Sequence, residues 1–290
     1  RHVSRFAPVQ KPAVLAAFCV VAPLEDNFSF FRSTSPPGFG TFHLLTTSST
    51  SPQDASLEPD DAVAPSTLPP FDPRKAPFTV RNDGLPAVPV AQLRAQALRA
   101  RFETPPVWTP ELRREPRMTE RVPAQAAVLV PIVQRPQGAT VLLTERTAHL
   151  STHSGQVAFP GGRVDPEDAN VAAAALREAW EEVGLSAQYI EVLGNLPTYT
   201  TITSFIVTPV VALVQPGFEL AINPYEVADA FEVPLAWLMD PANHRHHTVP
   251  APDGTKRQWY SMPYQDGADE RFVWGATAGM LRNLYRFLSA

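Results

Sequence analysis

The fold is decided in GQVAFPGGRVDPEDANVAAAALREAWEEVGL, residues Gly155 to Leu185. Glycines and prolines crowd its start, and an alanine run fills its middle. Glu178, Glu181 and Glu182 fall within five residues near its end. The spacing predicts a helix from Val171 to Val183. At about 100° per residue the three glutamates share roughly one third of its circumference. Ala172, Leu176, Ala179 and Val183 take the far side, as an apolar stripe facing a core. Asn170 is placed to cap the helix start. Asp165, Pro166, Glu167 and Asp168 form a turn ahead of it. Gly184 suits a left-handed stop. Phe159-Pro160-Gly161-Gly162 lets backbone pass close beside the helix, because glycine has no side chain.

The glutamates are a poor choice for stability alone. Like charges at i,i+3 and i,i+4 repel by about a few tenths of a kcal/mol per pair. Arg177, four residues before Glu181, offsets part of this. A divalent cation resolves the conflict, because Mg²⁺ or Mn²⁺ takes hard oxygen ligands and keeps sites for water and phosphate. A solvated acidic helix face is the alternative.

Working outward, Val90–Phe102 has helical period, and Pro105, Pro106 and Pro110 stop it. Ala126–Gln134 and Thr140–Arg146 read as a hairpin, and Gln156–Pro160 as a short strand. Ile190–Thr200 and Phe205–Gln215 are further strands. Glu226–Asp240 holds a short strand and a helix start. KRQWYSM and RFVWG are late strand candidates. Ala276–Leu288 closes as an amphipathic helix, with Met280, Leu281, Leu284 and Leu288 on one stripe. The pattern is α/β: a mixed sheet with helices on both faces, in one domain without internal repeats.

Composition excludes several classes. A charge of -5 without long runs is no nucleic-acid footprint. No apolar run approaches the roughly 20 residues needed to span a bilayer, so neither nucleic acid nor membrane is an expected partner. Cys19 is the lone cysteine. It cannot form an internal disulfide and fits a reducing, cytoplasmic setting. Residues 1–70 are rich in Pro, Ser and Thr and are expected to be disordered. Ala13–Leu24 is an exception there, either a signal-peptide-like core or an incidental apolar patch. The chain begins with Arg1 and its first methionine is Met118, as in a fragment or a translation begun upstream of the true start. Residues 71–120 read as a helical and extended extension, and residues 121–290 as the main domain.

GGRVDPEDANVAAAALREAWEEVGL resembles the signature of the Nudix hydrolases. That signature is Gly, five residues, Glu, seven residues, Arg-Glu, an aliphatic, any residue, Glu-Glu, any residue, Gly, an aliphatic. REAWEEVGL fits it with Ala179 as the aliphatic. The first half departs: Asp168 stands where Glu is expected, and Gly162 to Arg177 is one residue too long. That expansion is similar to the coenzyme A diphosphatase branch. LLTERTAHLSTHSGQVAFPGG (Leu142–Gly162) is similar to that branch's second motif at Leu142, Leu143, Thr144, Arg146, Gly155 and Phe159 to Gly162. Thr147 replaces Ser or Ala, and Ser151 stands at an arginine position. His149, His153 or Arg163 are the residues that would compensate. The resemblance covers about Arg121 to Trp274.

The resemblance implies a Nudix-type α/β/α sandwich and a metal-dependent diphosphatase. Coenzyme A or an acyl-CoA would be cleaved to 3′,5′-ADP and 4′-phosphopantetheine. Glu178, Glu181 and Glu182 would ligate Mg²⁺ or Mn²⁺, with Glu178 or Glu181 also open to a catalytic role. Arg177 would orient a glutamate, and Gly161 and Gly162 would shape the substrate loop. Glu226 is a candidate extra base or ligand, or a solvated loop residue. Arg146 and Arg163 would contact phosphates or form surface salt bridges. Tyr199 and Phe205 would line a pocket or pack in the core, the core being favoured. His244, His246 and His247 crowd together, but their tight spacing favours surface residues over a metal cluster. A homodimer is expected from the family's habit. Two other readings stay open: a Nudix hydrolase acting on NADH, ADP-ribose or a similar dinucleotide, and a non-catalytic Nudix-fold binding module.

Overall fold

The computed structural model describes residues 72–80, 84–115, 122–147, 155–250, 254 and 256–290. The expected disordered tail, the Ala13–Leu24 patch, His149, Ser151 and His153 lie outside these residues.

In chain order the elements are β1 (Phe78–Val80), α1 (Ala95–Glu103), β2 (Ala124–Val133), β3 (Thr140–Arg146), β4 (Val157–Ala158) and β5 (Gly161–Arg163). The glutamate helix α2 (Val171–Val183) follows, then β6 (Ile190–Asn195), β7 (Tyr199–Thr200), β8 (Phe205–Val214), β9 (Val227–Pro234) and α3 (Leu235–Leu238). The chain ends with β10 (Arg245–Pro250), β11 (Lys256–Asp266), β12 (Asp269–Trp274) and α4 (Gly275–Ser289).

The centre is the pair β2 and β8, both rich in β-branched residues. They run parallel in full register, Ala124 opposite Phe205 and Val133 opposite Val214. The remaining pairings of this eight-stranded mixed sheet are antiparallel. Alternation divides β2 and β8 between two cores. Ala127, Leu129, Val133, Val210, Ala212 and Val214 pack with Ala174, Ala175, Ala179 and Val183 of α2. Ala126, Val130, Ile132, Val211 and Leu213 face the opposite core, with Leu98 of α1 and Leu281, Leu284 and Leu288 of α4. The sheet is therefore covered on both faces, and both faces of its central strands are apolar for that reason.

Local signals set the ends of α2. The Asn170 side chain accepts hydrogen bonds from the N–H groups of Ala172 and Ala173, both at 3.0 Å. Gly184 ends the helix at φ 68°. The buried stripe is centred one residue away from the expected one. Ala174 and Ala175 are buried with Ala179 and Val183, whereas Ala172 and Leu176 are half-buried. The helix expected from Val90 begins instead as a 3₁₀ turn, Val90–Leu93, broken from α1 by the extended backbone of Arg94. The strand expected from Ile190 to Thr200 is split into β6 and β7 around Leu196 to Thr198, where Pro197 has no N–H to give to a ladder.

A second sheet, β1-β10-β11-β12, is wholly antiparallel. It takes in both late strand candidates and, in β10, His246 and His247, with His244 just before that strand. The expectation of surface histidines is corrected here: His244 and His247 are buried. His247 lies in β10 opposite Trp259 and stacks on its ring at 4.9 Å. Arg271 of β12 ties the two sheets together, with Nη1 bonding Glu145 of β3 at 3.2 Å and Nη2 bonding Asp229 of β9 at 2.6 Å.

His244 is held by a donor on one side and an acceptor on the other. Its Nε2 donates to the Leu238 carbonyl at 2.8 Å, and its Nδ1 accepts from Arg282 Nη1 at 3.1 Å. Both contacts are satisfied by the neutral ring, and burial pushes its pKa down to about 4. The unfolded chain therefore binds this proton more readily than the folded one. Stability is present above the unfolded value near 6.5 and is lost as pH falls toward 4. Between pH 8 and pH 5 this residue is expected to cost the fold about 2 kcal/mol. Denaturant unfolding at both pH values should show a correspondingly flatter dependence in His244→Gln. Equal slopes in the two proteins would refute it.

Candidate active site

The site forms where β5 is pressed between β2 and α2. Gly161 pairs with Val128 and Gly162 with Ala127. A Cβ on Gly161 would lie 2.6 Å from Val128 Cα, so the backbone there can only be this close without one. A Cβ on Gly162 would meet the Glu178 carboxylate at 2.5–2.6 Å. The two glycines thus have separate tasks: Gly161 lets the loop reach the sheet, and Gly162 leaves room for a carboxylate.

Arg177 organises the near side. Its Nε and Nη2 fork onto the two oxygens of Asp168 at 3.1 and 2.9 Å. Its Nη1 reaches Glu178 Oε1 and Glu181 Oε2, each at 3.0 Å, and Nη2 also donates to the Arg163 carbonyl at 3.0 Å. One guanidinium joins the loop, β5 and two of the three glutamates. Arg177 and the Asp165 N–H hold the Asp168 carboxyl below the usual carboxylate range. Asp168, which departs from the family's expected Glu, is therefore the anchor of Arg177.

The three glutamates are not equivalent, which corrects the expectation that they share one face of the helix, all turned away from the core. Glu181 is 52% exposed at its side chain, Glu178 15% and Glu182 only 4%. Glu182 accepts from the Gly161 N–H at 3.2 Å and stands 3.6 Å from Arg146 Nη1. Burial outweighs both partners, and with repulsion from Glu178 and Glu226 its pKa is pushed up to about 7. Burial also raises Glu178, again with Glu226 contributing.

Glu226 reaches this cluster from the loop before β9. The Asn223 amide donates to its Oε1 at 3.2 Å, and the Thr147 N–H donates to its carbonyl at 3.1 Å. Asn223 N–H in turn donates to the Glu182 carbonyl at 2.9 Å, fixing the loop on α2. Buried Thr147 also donates its hydroxyl to the Tyr225 carbonyl at 3.2 Å. That bond gives a physical use to the threonine at a position where the similar motif has Ser or Ala.

Among the described residues no three His, Cys, Asp or Glu side chains stand arranged as a ready cation cage. Arg177 spans Glu178 and Glu181, and Glu182 turns to Gly161 and Arg146. The donors nonetheless fit a divalent cation. Glu178, Glu182 and Glu226 are hard oxygen donors that repel one another, and two of them are largely buried.

Beside the carboxylates lies a cleft of about 410 Å³. Arg146, Gly161, Gly162 and Arg163 line it, with Phe205, Trp259, Trp274 and Met280 among its apolar walls. Phe205 thus lines the cleft with Arg163 5.8 Å from its ring, while Tyr199 belongs to the core and donates its hydroxyl to Glu115 at 3.1 Å. Trp259, Trp274 and Arg257 were not singled out from the sequence. They come from the second sheet, and no local spacing connects them to the glutamate helix.

This strand–loop–helix with its carboxylates defines a Nudix-type domain, and residues 123–252 match the NUDIX domain family. "Uncharacterized Nudix hydrolase NudL" of Shigella flexneri serotype 5b (strain 8401) is 44% identical over 175 residues, spanning 60% of this chain and 86% of that protein. NudL of Salmonella paratyphi B is 46% identical over 160 residues, 55% of this chain and 80% of that protein. Among solved structures, the Nudix hydrolase RenU from M. smegmatis is 28% identical, with a TM-score of 0.35 over 40% of this chain and 73% of that one. The chain belongs to the Nudix hydrolase family. It is a hydrolase of diphosphate bonds in nucleoside diphosphate derivatives. Among the described residues no helix is long and apolar enough to cross a membrane.

Proposed function

We propose that this enzyme hydrolyses the diphosphate of coenzyme A or an acyl-CoA to 3′,5′-ADP and 4′-phosphopantetheine, in the cytoplasm and with Mg²⁺ or Mn²⁺. The observation that carries this reading is the junction of the two motifs. Residues of LLTER in β3 pair with β4, Thr144 opposite Ala158, and the chain then enters β5 against Glu178 and Glu182. The motif similar to the coenzyme A branch is thereby joined to the carboxylates.

In this reading Glu178, Glu181 and Glu182 hold the cation. When bound, the ion supplies charge neutralisation for the diphosphate and lowers the pKa of a water. Arg146 and Arg163 bind phosphate oxygens, and Gly161 and Gly162 let the diphosphate approach backbone. Arg177 keeps Glu178 and Glu181 in place through a fork anchored on Asp168. Glu226, or Glu178 or Glu181, takes the proton as water attacks phosphorus and the bridging P–O bond breaks, leaving two phosphomonoesters. The substrate is a small molecule; a homodimer is part of the proposal, and nucleic acid is not.

Incubation with coenzyme A and Mg²⁺ or Mn²⁺ is expected to yield 3′,5′-ADP and 4′-phosphopantetheine by chromatography with mass detection, and chelation is expected to abolish it. Cleavage of NADH or ADP-ribose but not coenzyme A would overturn the substrate and keep the chemistry. That second reading is favoured by the Thr147 and Ser151 departures. A non-catalytic module would show no Mn²⁺ binding dependent on Glu181 and Glu182 in titration calorimetry.

A further inference from the structure

The carboxylate end of the cleft accounts for Arg146, Gly161 and Gly162. Another wall carries a cation that the proposed reaction does not use, Arg257 of β11. Its guanidinium lies 5.5 Å from the ring centroid of Trp259. Burial lowers its pKa from the ordinary arginine value, with Glu115 acting the other way. Glu115 also accepts from the Tyr199 hydroxyl at 3.1 Å and from the Ile202 N–H at 2.8 Å. Among the described residues the cleft lining holds three arginines, Arg146, Arg163 and Arg257, and one carboxylate, Glu115. A cleft of about 410 Å³ also exceeds what a diphosphate fills; pockets for whole small ligands start at roughly 300 Å³. A partly desolvated guanidinium in such a place favours a phosphate, whose oxygens match its planar fork.

We propose that Arg257 is a specificity-determining residue that binds a phosphate on the substrate's ribose, separate from the diphosphate under attack. The proposal rests on the reading of the substrate as a nucleoside diphosphate derivative. For coenzyme A the group is the 3′-phosphate, which NADH and ADP-ribose lack. The diphosphate belongs beside Glu178 and Glu182, whereas Arg257 stands on a strand of the other sheet. It is therefore placed to read a second anionic group further along the nucleotide.

The test is equilibrium binding of adenosine 3′,5′-bisphosphate and of 5′-AMP to the full chain in chelator. The readout is tryptophan fluorescence, since Trp259 and Trp274 line the cleft, with calorimetry in parallel. The bisphosphate is expected to bind roughly ten- to a hundredfold more tightly than AMP, the range of a charge-assisted contact. In Arg257→Gln the ratio should fall to within about threefold, with Arg257→Lys between, because it keeps the charge and loses the fork. A ratio of two constants on one preparation does not depend on the fraction folded. Equal affinities in the wild type, an unchanged ratio in Arg257→Gln, or no binding of the bisphosphate at millimolar concentration would overturn the proposal. Cleavage of coenzyme A and 3′-dephospho-CoA separates the two claims. Bisphosphate selectivity without coenzyme A cleavage sinks the substrate reading alone. Cleavage of both at equal kcat/KM sinks the role of Arg257 alone.

Discussion

Glu182→Gln is expected to lower turnover by roughly a thousandfold while leaving the metal-free protein more stable at pH 8. Both effects come from one buried charge. In the proposed reaction the Glu182 carboxylate would help hold the cation whose charge offsets the diphosphate, and a neutral amide of the same shape would hold it far less well. Without the cation that charge is a burden. Its folded pKa is about 7 against 4.5 for an ordinary glutamate, so the folded chain holds the proton more tightly. Stability from this group is fully present below pH 4.5 and is lost as pH rises through about 7. At pH 8 the ionised form costs up to about 3 kcal/mol, which glutamine avoids. Glutamine also keeps an oxygen for the Gly161 N–H, which Glu182 now receives at 3.2 Å. Thermal unfolding in chelator should therefore separate the two proteins more at pH 8 than at pH 5, with the variant higher. Full activity in the variant would remove Glu182 from the site, and a lower melting temperature at pH 8 would contradict the burial argument.

Gly161→Ala and Gly162→Ala are expected to fail in opposite ways although they are neighbours. At Gly161 the added carbon meets backbone of β2, including Val128 Cα at 2.6 Å, at a φ of +156°. Neither strand can retreat without breaking ladder bonds, so a loss of about 3 kcal/mol is expected. At Gly162 the added carbon meets only the carboxylate of Glu178. That is the far end of a flexible side chain, which can swing aside at small cost. Stability should stay within about 1 kcal/mol of wild type. Turnover should drop about a hundredfold, as expected for an active-site group displaced by about an ångström. Denaturant unfolding and kcat measured on both variants check the contrast. A Gly162→Ala enzyme within twofold of wild type would show that the position of Glu178 does not matter.

Much of the site was legible because its parts are close in sequence. Asn170, the glutamates and Gly184 are related by helix period and end chemistry, and these depend on neighbours within a few residues. The same holds for Phe159 to Gly162, where missing side chains announce a close approach. What period could not supply was depth. Glu181 and Glu182 are adjacent, yet one is exposed and the other buried, because β5 and the loop carrying Glu226 cover only one side of α2. His244 and His247 looked like surface residues for a similar reason. The partners that bury them are distant in sequence: Trp259 opposite His247 in the sheet, and Arg282 of α4 beside His244.

By itself the sequence determined the class of fold, the glutamate helix with both its ends, and the two glycines beside it. Helix caps, periodicity and the absence of a Cβ act over a few residues and need no distant partner. The tertiary structure alone decided which glutamate is buried, that Asp168 anchors Arg177, and that Arg257 faces the cleft from a second sheet. Each of those facts depends on desolvation or on contacts between segments far apart in the chain. Such energies exist only once the two sheets and α2 have packed.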